Sequence, residues 1–177
     1  FLFNNGTAGA FSGSGLDGGT NALVRNCQAW GNSLFGIGTE KGGLVTECLA
    51  RSNTLVGIAV GSGGVIRSCV SSFNQSDGFQ ATDNCLVVDN NAHGNRSGGT
   101  KAGILLIFSG GTRVENNNVS GNDYGISVRD NGNFIVRNSA HSNFTANYNI
   151  SGTQTIGPIV SSTGIITTNS PWANFSY

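Results

Sequence analysis

The chain is short of charge, proline and methionine. Its 177 residues include nine basic and nine acidic side chains, two prolines and no methionine, and the formal net charge is zero. Only Lys41 and Lys101 are lysines. Nucleic acids and anionic membranes require basic patches, so we expect neither as a partner. No apolar run approaches the ~20 residues of a transmembrane helix, and no signal peptide precedes the rest of the chain.

Glycine, in contrast, is abundant, with 28 residues. Valine, isoleucine and leucine are present at ordinary levels, which fits neither a disordered chain nor collagen. The length suits one domain with a sizeable core. Together these features indicate a turn-rich β protein.

A repeat of 21 residues runs through most of the chain. The aligned segments are VRNCQAWGN, VTECLARSN, IRSCVSSFN, VVDNNAHGN, VENNNVSGN and IVRNSAHSN. They start near residues 24, 45, 66, 87, 114 and 135, and a degenerate copy starts near residue 3. A Gly-apolar pair follows each of the first six copies. A unit this short is too small for a helical repeat and fits one turn of a coil of parallel strands.

The phrase V-x-N-N/C-x-A-x-x-N…G-I resembles the coil repeat of the pectate-lyase-like superfamily. The resemblance covers residues 3–150 and implies an all-β, right-handed parallel β-helix of about seven coils, stacked about 4.8 Å apart. The tail, residues 151–177, is expected to pack on the helix or cap it. Members of this fold are mostly exported, so the resemblance implies a secreted or cell-surface protein.

An inward column is expected three residues after each start. It reads Cys27, Cys48, Cys69, Asn90, Asn117 and Asn138. In the superfamily this column often holds a ladder of asparagine amides. We interpret the three thiols as small fillers of a dry column rather than a metal or redox site, because no histidine joins them. Parallel Cβ vectors ~4.8 Å apart exceed the ~3.8 Å of a disulfide, so we predict four free thiols, including Cys85.

A second column lies eight residues after each start and reads Asn32, Asn53, Asn74, Asn95, Asn122 and Asn143. Three glycosylation sequons fall on it. We interpret these residues instead as turn asparagines that adopt left-handed geometry and satisfy backbone groups. The recurring glycine before the apolar residue of each pair, which is replaced by Asn147 in the last copy, is expected to mark a tight turn.

The residue before each start is apolar in the lower coils. Strand alternation turns Leu23, Leu44, Val65 and Leu86 outward and predicts an apolar stripe, which implies a cover or a partner. The tail is one candidate cover. Contact with a second copy, giving a homo-oligomer, is the alternative.

Catalytic motifs of the superfamily are missing. Its enzymes use motifs of the G-H-G, N-T-D, R-I-K and Y-G-[FI]-D-P-H types, and none occurs here. The outward column beside the Gly-apolar strands reads Asp17, Gly38, Ala59, Gln80, Leu105, Ser127 and Asn149. With one acid and no base, this face predicts no catalytic residues, no metal and no cofactor.

The repeat breaks once, in the coil that starts at Val87. It carries six extra residues, four of them in the turn 96–102, and insertions in solenoids often lie on the working face. Stacking should place Asp77 one coil below this turn, and Asp123 and Tyr124 one coil above. With Arg96 and Lys101, the two aspartates form either weak surface pairs or, with Tyr124 as a stacking platform, a carbohydrate contact site.

Two functional hypotheses follow. The first is a non-catalytic, secreted or surface β-helix that binds glycans or assembles with itself. The second is a carbohydrate-active enzyme, a polysaccharide lyase or glycoside hydrolase, or the C-terminal fragment of one. The fragment is favoured by the start at Phe1 without an amphipathic cap, because solenoids normally need capped ends.

Overall fold

A computed structural model describes residues 2–3, 13–108, 110–161 and 164–177. All regular structure in this part of the chain is β-strand, and no helix in it could span a membrane. The strands are, in chain order, β1 (Leu2–Phe3), β2 (Leu16–Gly18), β3 (Leu23–Arg25), β4 (Gln28–Trp30), β5 (Ile37–Thr39), β6 (Leu44–Thr46), β7 (Leu49–Arg51), β8 (Ile58–Val60), β9 (Val65–Arg67), β10 (Val70–Ser72), β11 (Phe79–Ala81), β12 (Leu86–Val88), β13 (Asn91–His93), β14 (Ala102–Leu106), β15 (Arg113–Glu115), β16 (Asn118–Ser120), β17 (Tyr124–Val128), β18 (Phe134–Val136), β19 (Ser139–His141), β20 (Ala146–Ile150), β21 (Thr155–Ile156), β22 (Ile159–Ser161) and β23 (Asn174–Ser176).

Three parallel sheets form the walls of a solenoid. Sheet I runs β1-β4-β7-β10-β13-β16-β19-β23-β22, sheet II runs β2-β5-β8-β11-β14-β17-β20, and sheet III runs β3-β6-β9-β12-β15-β18-β21. Every coil contributes one short strand to each sheet. The parallel β-helix expected from the repeat is therefore confirmed.

The register follows the repeat from residue 24 onward. In sheet III the start residues stack directly, as Val24, Val45, Ile66, Val87, Val114 and Ile135, and all are buried. The copy expected at residue 3 does not share this register. Leu2 and Phe3 pair with Ala29 and Trp30 in sheet I, 27 residues ahead instead of 21, so this end of the chain is six residues out of step. Residues 4–12 of that copy lie outside the described part.

Each corner of a coil uses a residue with left-handed backbone geometry. One corner has Asn26, Glu47, Ser68, Asp89, Asn116 and Arg137 at positive φ, and the next has Gly31, Ser52, Phe73, Gly94, Gly121 and Ser142. The inward ladder residue follows directly in both columns. The expectation that Asn32 to Asn143 are themselves left-handed is therefore wrong, because the turn is made one residue earlier.

The asparagines of the second column form a continuous amide ladder. The Nδ2 of each donates to the Oδ1 of the next, at 2.8–3.1 Å, from Asn32 up to Asn143, which ends on Asn147. Each Oδ1 also accepts the backbone N–H of the residue below it. The ladder satisfies polar groups that are otherwise buried and unpaired.

The first column is a mixed ladder of thiols and amides. Asn90, Asn117 and Asn138 repeat the amide pattern. Below them, Cys48 Sγ accepts the N–H of Cys27 at 3.4 Å, and the N–H of Cys69 donates to Asn90 Oδ1 at 2.9 Å. All four cysteines are free. Cys85 begins a third ladder, in which its N–H donates to Thr112 Oγ1.

The recurring glycine permits close approach rather than a turn. Gly36 lies outside the positive-φ region, but a Cβ on it would meet Asn53 Nδ2 and Gly57 O, both at 2.6 Å. A side chain at this column would therefore collide with the ladder and with the next coil. The tight turn expected there is wrong.

The tail caps the upper end. β21 extends sheet III, and β23 inserts between β19 and β22 in sheet I, so that Asn174 becomes the next rung above Asn138. Trp172 packs edge to face on Phe134, with ring centroids 6.2 Å apart. Leu23 remains 68% exposed at the other end. The tail does not cover the apolar stripe.

Candidate functional site

Four of the six inserted residues lie at the corner between sheets I and II, and the other two lie between β14 and β15. Residues 96–100 of the 96–102 loop are exposed, Lys101 is half-buried, and Ala102 begins β14. Gly98 and Gly99 have φ of 95° and 126°, a geometry that other residues rarely adopt. The loop thus projects from a rigid wall and depends on its glycines for its path.

Two buried carboxylates hold the 96–102 loop from either side. Asp77, one coil below, accepts the N–H of Ala102 on Oδ1 at 2.6 Å. Asp123, one coil above, accepts the N–H groups of Gly99 and Lys101 on Oδ2, at 2.8 and 3.1 Å. Asp77 is 6% exposed and Asp123 is 4% exposed. The stacking expected from the repeat brings both to the loop, where they anchor its backbone.

The protonation of Asp77 is shifted by its surroundings. Burial raises the pKa of this carboxyl, whereas the Ala102 N–H and the charges of Lys101 and Arg129 lower it and offset part of that effect. Burial has the larger effect, so the pKa lies above the ordinary value.

The cations of the loop are not paired with these carboxylates. Among the described residues, ion pairs join Arg25 to Glu47, and Arg113 and Arg137 to Glu115. Arg96 instead stacks over Phe144, with its Cζ 4.2 Å from the ring centroid. Phe144 is 67% exposed. The loop therefore presents a positive charge on an aromatic surface.

Tyr124 flanks the other end of the loop. It begins β17 next to Ala102, its N–H donates to Lys101 O at 2.9 Å, and its side chain is half-buried. Phe144 and Arg129 were not singled out from the sequence. Phe144 follows its ladder asparagine directly, as Arg96 follows Asn95, so the shared column is the signal that locates it.

The arrangement suits recognition of an anionic, ring-shaped ligand. Arginine and lysine donate charge-assisted hydrogen bonds to carboxylates, and exposed rings pack on apolar surfaces of a ligand. Within the described ranges, no group of three or more His, Cys, Asp or Glu side chains could hold a metal ion. The column of sheet II that was expected to face outward adds little to this surface, because Leu105 and Ser127 are buried in it and Asn149 Nδ2 donates to Ser127 Oγ at 3.2 Å.

A depression of about 550 Å³ lies on sheet I, away from the loop. Its lining includes Gln28, Trp30, Leu49 and Arg51, and no carboxylate. It lies beside β1, close in sequence to residues outside the described part. We centre the candidate site on the 96–102 loop, where charge, aromatic surface and a built backbone anchor coincide.

Comparison with known proteins gives a family and a fold. Residues 2–107 match the family model of the right handed beta helix region. No curated protein sequence matches the chain. Among solved structures, the chain is similar to the periplasmic alginate epimerase AlgG, at 16% identity and a TM-score of 0.62, over 93% of this chain and 41% of that one.

A second similar structure is the A-module of the mannuronan C-5 epimerase AlgE6 from Azotobacter vinelandii. It has 19% identity and a TM-score of 0.56, over 90% of this chain and 48% of that one. The chain therefore spans less than half the length of either structure. At such low sequence identity, the structural similarity shows that the fold is shared and nothing more.

Proposed function

This chain belongs to the right-handed β-helix family, and from that premise we propose that it is a non-catalytic, secreted or cell-surface protein that binds an acidic polysaccharide. Binding is centred on the 96–102 loop. Arg96 and Lys101 meet carboxylates of the polymer, and Phe144 and Tyr124 meet its sugar rings. The two similar structures are epimerases of alginate and of mannuronan, polymers whose sugar units carry carboxylates.

The observation that carries this proposal is the anchored loop with unpaired cations. Asp77 and Asp123 together accept three backbone N–H groups of the loop. A loop fixed in this way loses less conformational entropy on binding than a free one. Because neither aspartate forms an ion pair with Arg96 or Lys101, both cations stay available to a ligand.

The same contacts support binding without turnover. A general acid or base must come within hydrogen-bonding reach of the substrate. Asp77 and Asp123 are almost fully buried and face the backbone of the loop. The acid of the outward column of sheet II, Asp17, lies at the lower end of the solenoid, four coils below the insertion.

Calorimetric titration with an oligomannuronate at low salt tests the proposal. We expect binding by the wild-type protein, with Arg96→Ala and Lys101→Ala each weakening it roughly three- to tenfold. Arg51→Ala removes an exposed arginine of sheet I and serves as the matched control, with unchanged affinity. No reducing ends or unsaturated uronates should be released. Absence of binding, or equal affinities of Arg96→Ala and Arg51→Ala, would contradict the proposal.

One observation favours a second function, a carbohydrate-active enzyme. Buried carboxyls with a raised pKa are frequent at catalytic sites, and Asp77 is such a group. If Asp77 donates a proton to a glycosidic oxygen, polysaccharide will be cleaved and Asp77→Asn will abolish the activity. Asp89→Asn, an exposed position on sheet III, should leave that activity intact. Product release by the wild-type protein would overturn the non-catalytic proposal.

A further inference from the structure

The lower half of sheet III carries a bare apolar stripe. Leu23, Leu44, Val65 and Leu86 stack one above another in successive strands and point outward. Leu23 is 68% exposed and Leu44 37%, whereas Val65 and Leu86 are half-buried. Higher on the same face, Phe134 is covered by Trp172 of the tail. The tail therefore covers only the upper part of this face.

Charged side chains beside the stripe alternate in sign from coil to coil. They follow their stripe residues by two or three positions and read Arg25, Glu47, Arg67 and Asp89. Arg25 bonds Glu47 in the next coil, at 3.1 Å, and Asp89 accepts a bond from Asn116. Arg67 is exposed, and its guanidinium has no partner in the described ranges. A second surface with the opposite order of charges would therefore be electrostatically complementary to this row.

We propose that a second copy of this chain covers the stripe, with the two solenoids antiparallel. The two-fold axis runs along the strand direction, midway between Leu44 and Val65. Such an interface is isologous, so each contact occurs twice. Leu44 packs on Val65 of the second copy, and Leu23 packs on Leu86 of the second copy.

The charge order specifies this orientation. Reversing one solenoid places Glu47 beside Arg67 of the second copy, and Arg25 beside Asp89 of the second copy. Opposite charges meet in both cases, and like charges across an interface would cost affinity. On the other flank, Lys41 meets Ser62 of the second copy. A parallel arrangement would instead bring each stripe residue against its own equivalent and leave the charged rows apart.

The small size of the apolar stripe limits the affinity of the proposed dimer. Four coils at about 4.8 Å span roughly 20 Å along the solenoid, and on short strands a face of that length buries much less area than an obligate dimer does. We therefore expect weak and reversible association. The glycan site lies at the corner of sheets I and II, so this inference is independent of the proposed function and is tested without polysaccharide.

Sedimentation velocity over a concentration series tests the interface. The wild-type protein should shift from monomer to dimer as concentration rises, and Leu44→Lys should weaken dimerisation on the order of tenfold or more, because it buries a charge. Val70→Lys is the matched control, since Val70 is 39% exposed on sheet I. Circular dichroism checks that both variants are folded. A wild-type protein that stays monomeric throughout, or equal effects of both variants, would overturn the proposal.

A charge exchange tests the orientation. Arg67→Glu alone and Glu47→Arg alone each place like charges together twice, so each should dimerise on the order of tenfold more weakly. A mixture of the two variants pairs opposite charges at both contacts and should restore dimerisation as heterodimer. Glu47→Arg also removes the Arg25–Glu47 ion pair within the chain. This loss is the same in the monomer and in the dimer, so it does not change the dimerisation constant. A mixture as weak as the separate variants would overturn the antiparallel arrangement.

Discussion

Each corner of the coil joins a left-handed residue to an inward polar side chain. The inward residue was predictable, because its type recurs every 21 residues from Cys27 and Asn32 onward. The left-handed residue was not, because the two corner columns contain Glu47, Phe73 and Arg137, which have no intrinsic preference for that geometry. Packing of the ladder behind the corner imposes a conformation that the residue alone would not choose.

The ladder makes a buried asparagine costly to replace. Asn74 Oδ1 accepts both the N–H and the Nδ2 of Asn53, each at 2.9 Å. Asn74→Ala removes the acceptor of the Asn53 N–H and one of the two acceptors of Asn53 Nδ2, all in a buried column, so we expect the free energy of unfolding in urea to fall by about 2–4 kcal/mol. Asn91→Ala removes an exposed asparagine of β13 and should change it by less than about 0.5 kcal/mol. Similar values for the two variants would refute the structural role of the ladder.

The thiols should differ sharply in reactivity. Cys27 is half-buried and Cys85 is buried, and burial raises the pKa of the Cys85 thiol. The hydrogen bond between Cys48 and Cys69 lowers the pKa of the Cys48 thiol to about 7 and raises that of Cys69, but both thiols are buried away from a reagent. With Ellman's reagent at pH 8 we expect only Cys27 to react in the folded protein, and four thiols to react in urea. Fast reaction of all four thiols without denaturant would contradict the burial of Cys48, Cys69 and Cys85 in the dry columns.

The pH dependence of stability should report on Asp77. Its pKa is raised above the ordinary 3.8, so its contribution to stability is complete below that value and is lost as pH rises through the folded pKa. Asp77→Asn mimics the protonated form and keeps an oxygen for the Ala102 N–H. We expect it to equal or exceed the wild type in free energy of unfolding at pH 7, and this advantage to vanish near pH 3.5.

The alanine variant separates charge from hydrogen bonding at the same position. Asp77→Ala removes the acceptor of the Ala102 N–H and should be less stable than the wild type at both pH values, by about 1–3 kcal/mol. If Asp77→Asn is as unstable as Asp77→Ala at pH 7, the ionised carboxylate itself stabilises the loop, and the assigned sign is wrong.

At the scale of elements, the strands are short and are held in place by close contacts between adjacent coils. Most strands contain three residues. Adjacent coils approach closely at the recurring glycine, which precedes β2, β5, β8 and β11 and lies within β14 and β17. The repeat predicted where these strands begin. It could not predict the insertion of β23 between β19 and β22, because that order depends on pairing between distant segments of the tail.

Two glycines close to one strand test the close approach of the coils. A Cβ on Gly36 would lie 2.6 Å from the backbone oxygen of Gly57, whereas a Cβ on Gly38 would lie 3.7 Å from its nearest neighbour. We expect Gly36→Ala to lower the thermal midpoint of unfolding by several degrees or more, for a loss of about 2–4 kcal/mol. Gly38→Ala should remain close to the wild type. Equal midpoints would show that the coils are not packed against Gly36.

At the scale of the whole molecule, the solenoid is a rigid frame that carries a loop on one corner. The stacking rule located this loop and its neighbours Asp77, Asp123 and Tyr124 correctly. It could not assign the carboxylates to the loop backbone, because the path of residues 96–102 follows from local geometry at Gly98 and Gly99 and leaves no periodic signal. Nor could it find the contact between Arg96 and Phe144, which passes over the intervening coil.

The most direct test of the account is amide hydrogen exchange with and without a bound oligomannuronate. If the anchored loop recognises an acidic polysaccharide, exchange should slow over residues 96–102 and beside Tyr124 and Phe144, while the outward faces of sheets I and III stay unchanged. Slowing confined to the surface around Trp30 and Arg51, or no change at saturating ligand, would contradict a binding site at the 96–102 loop.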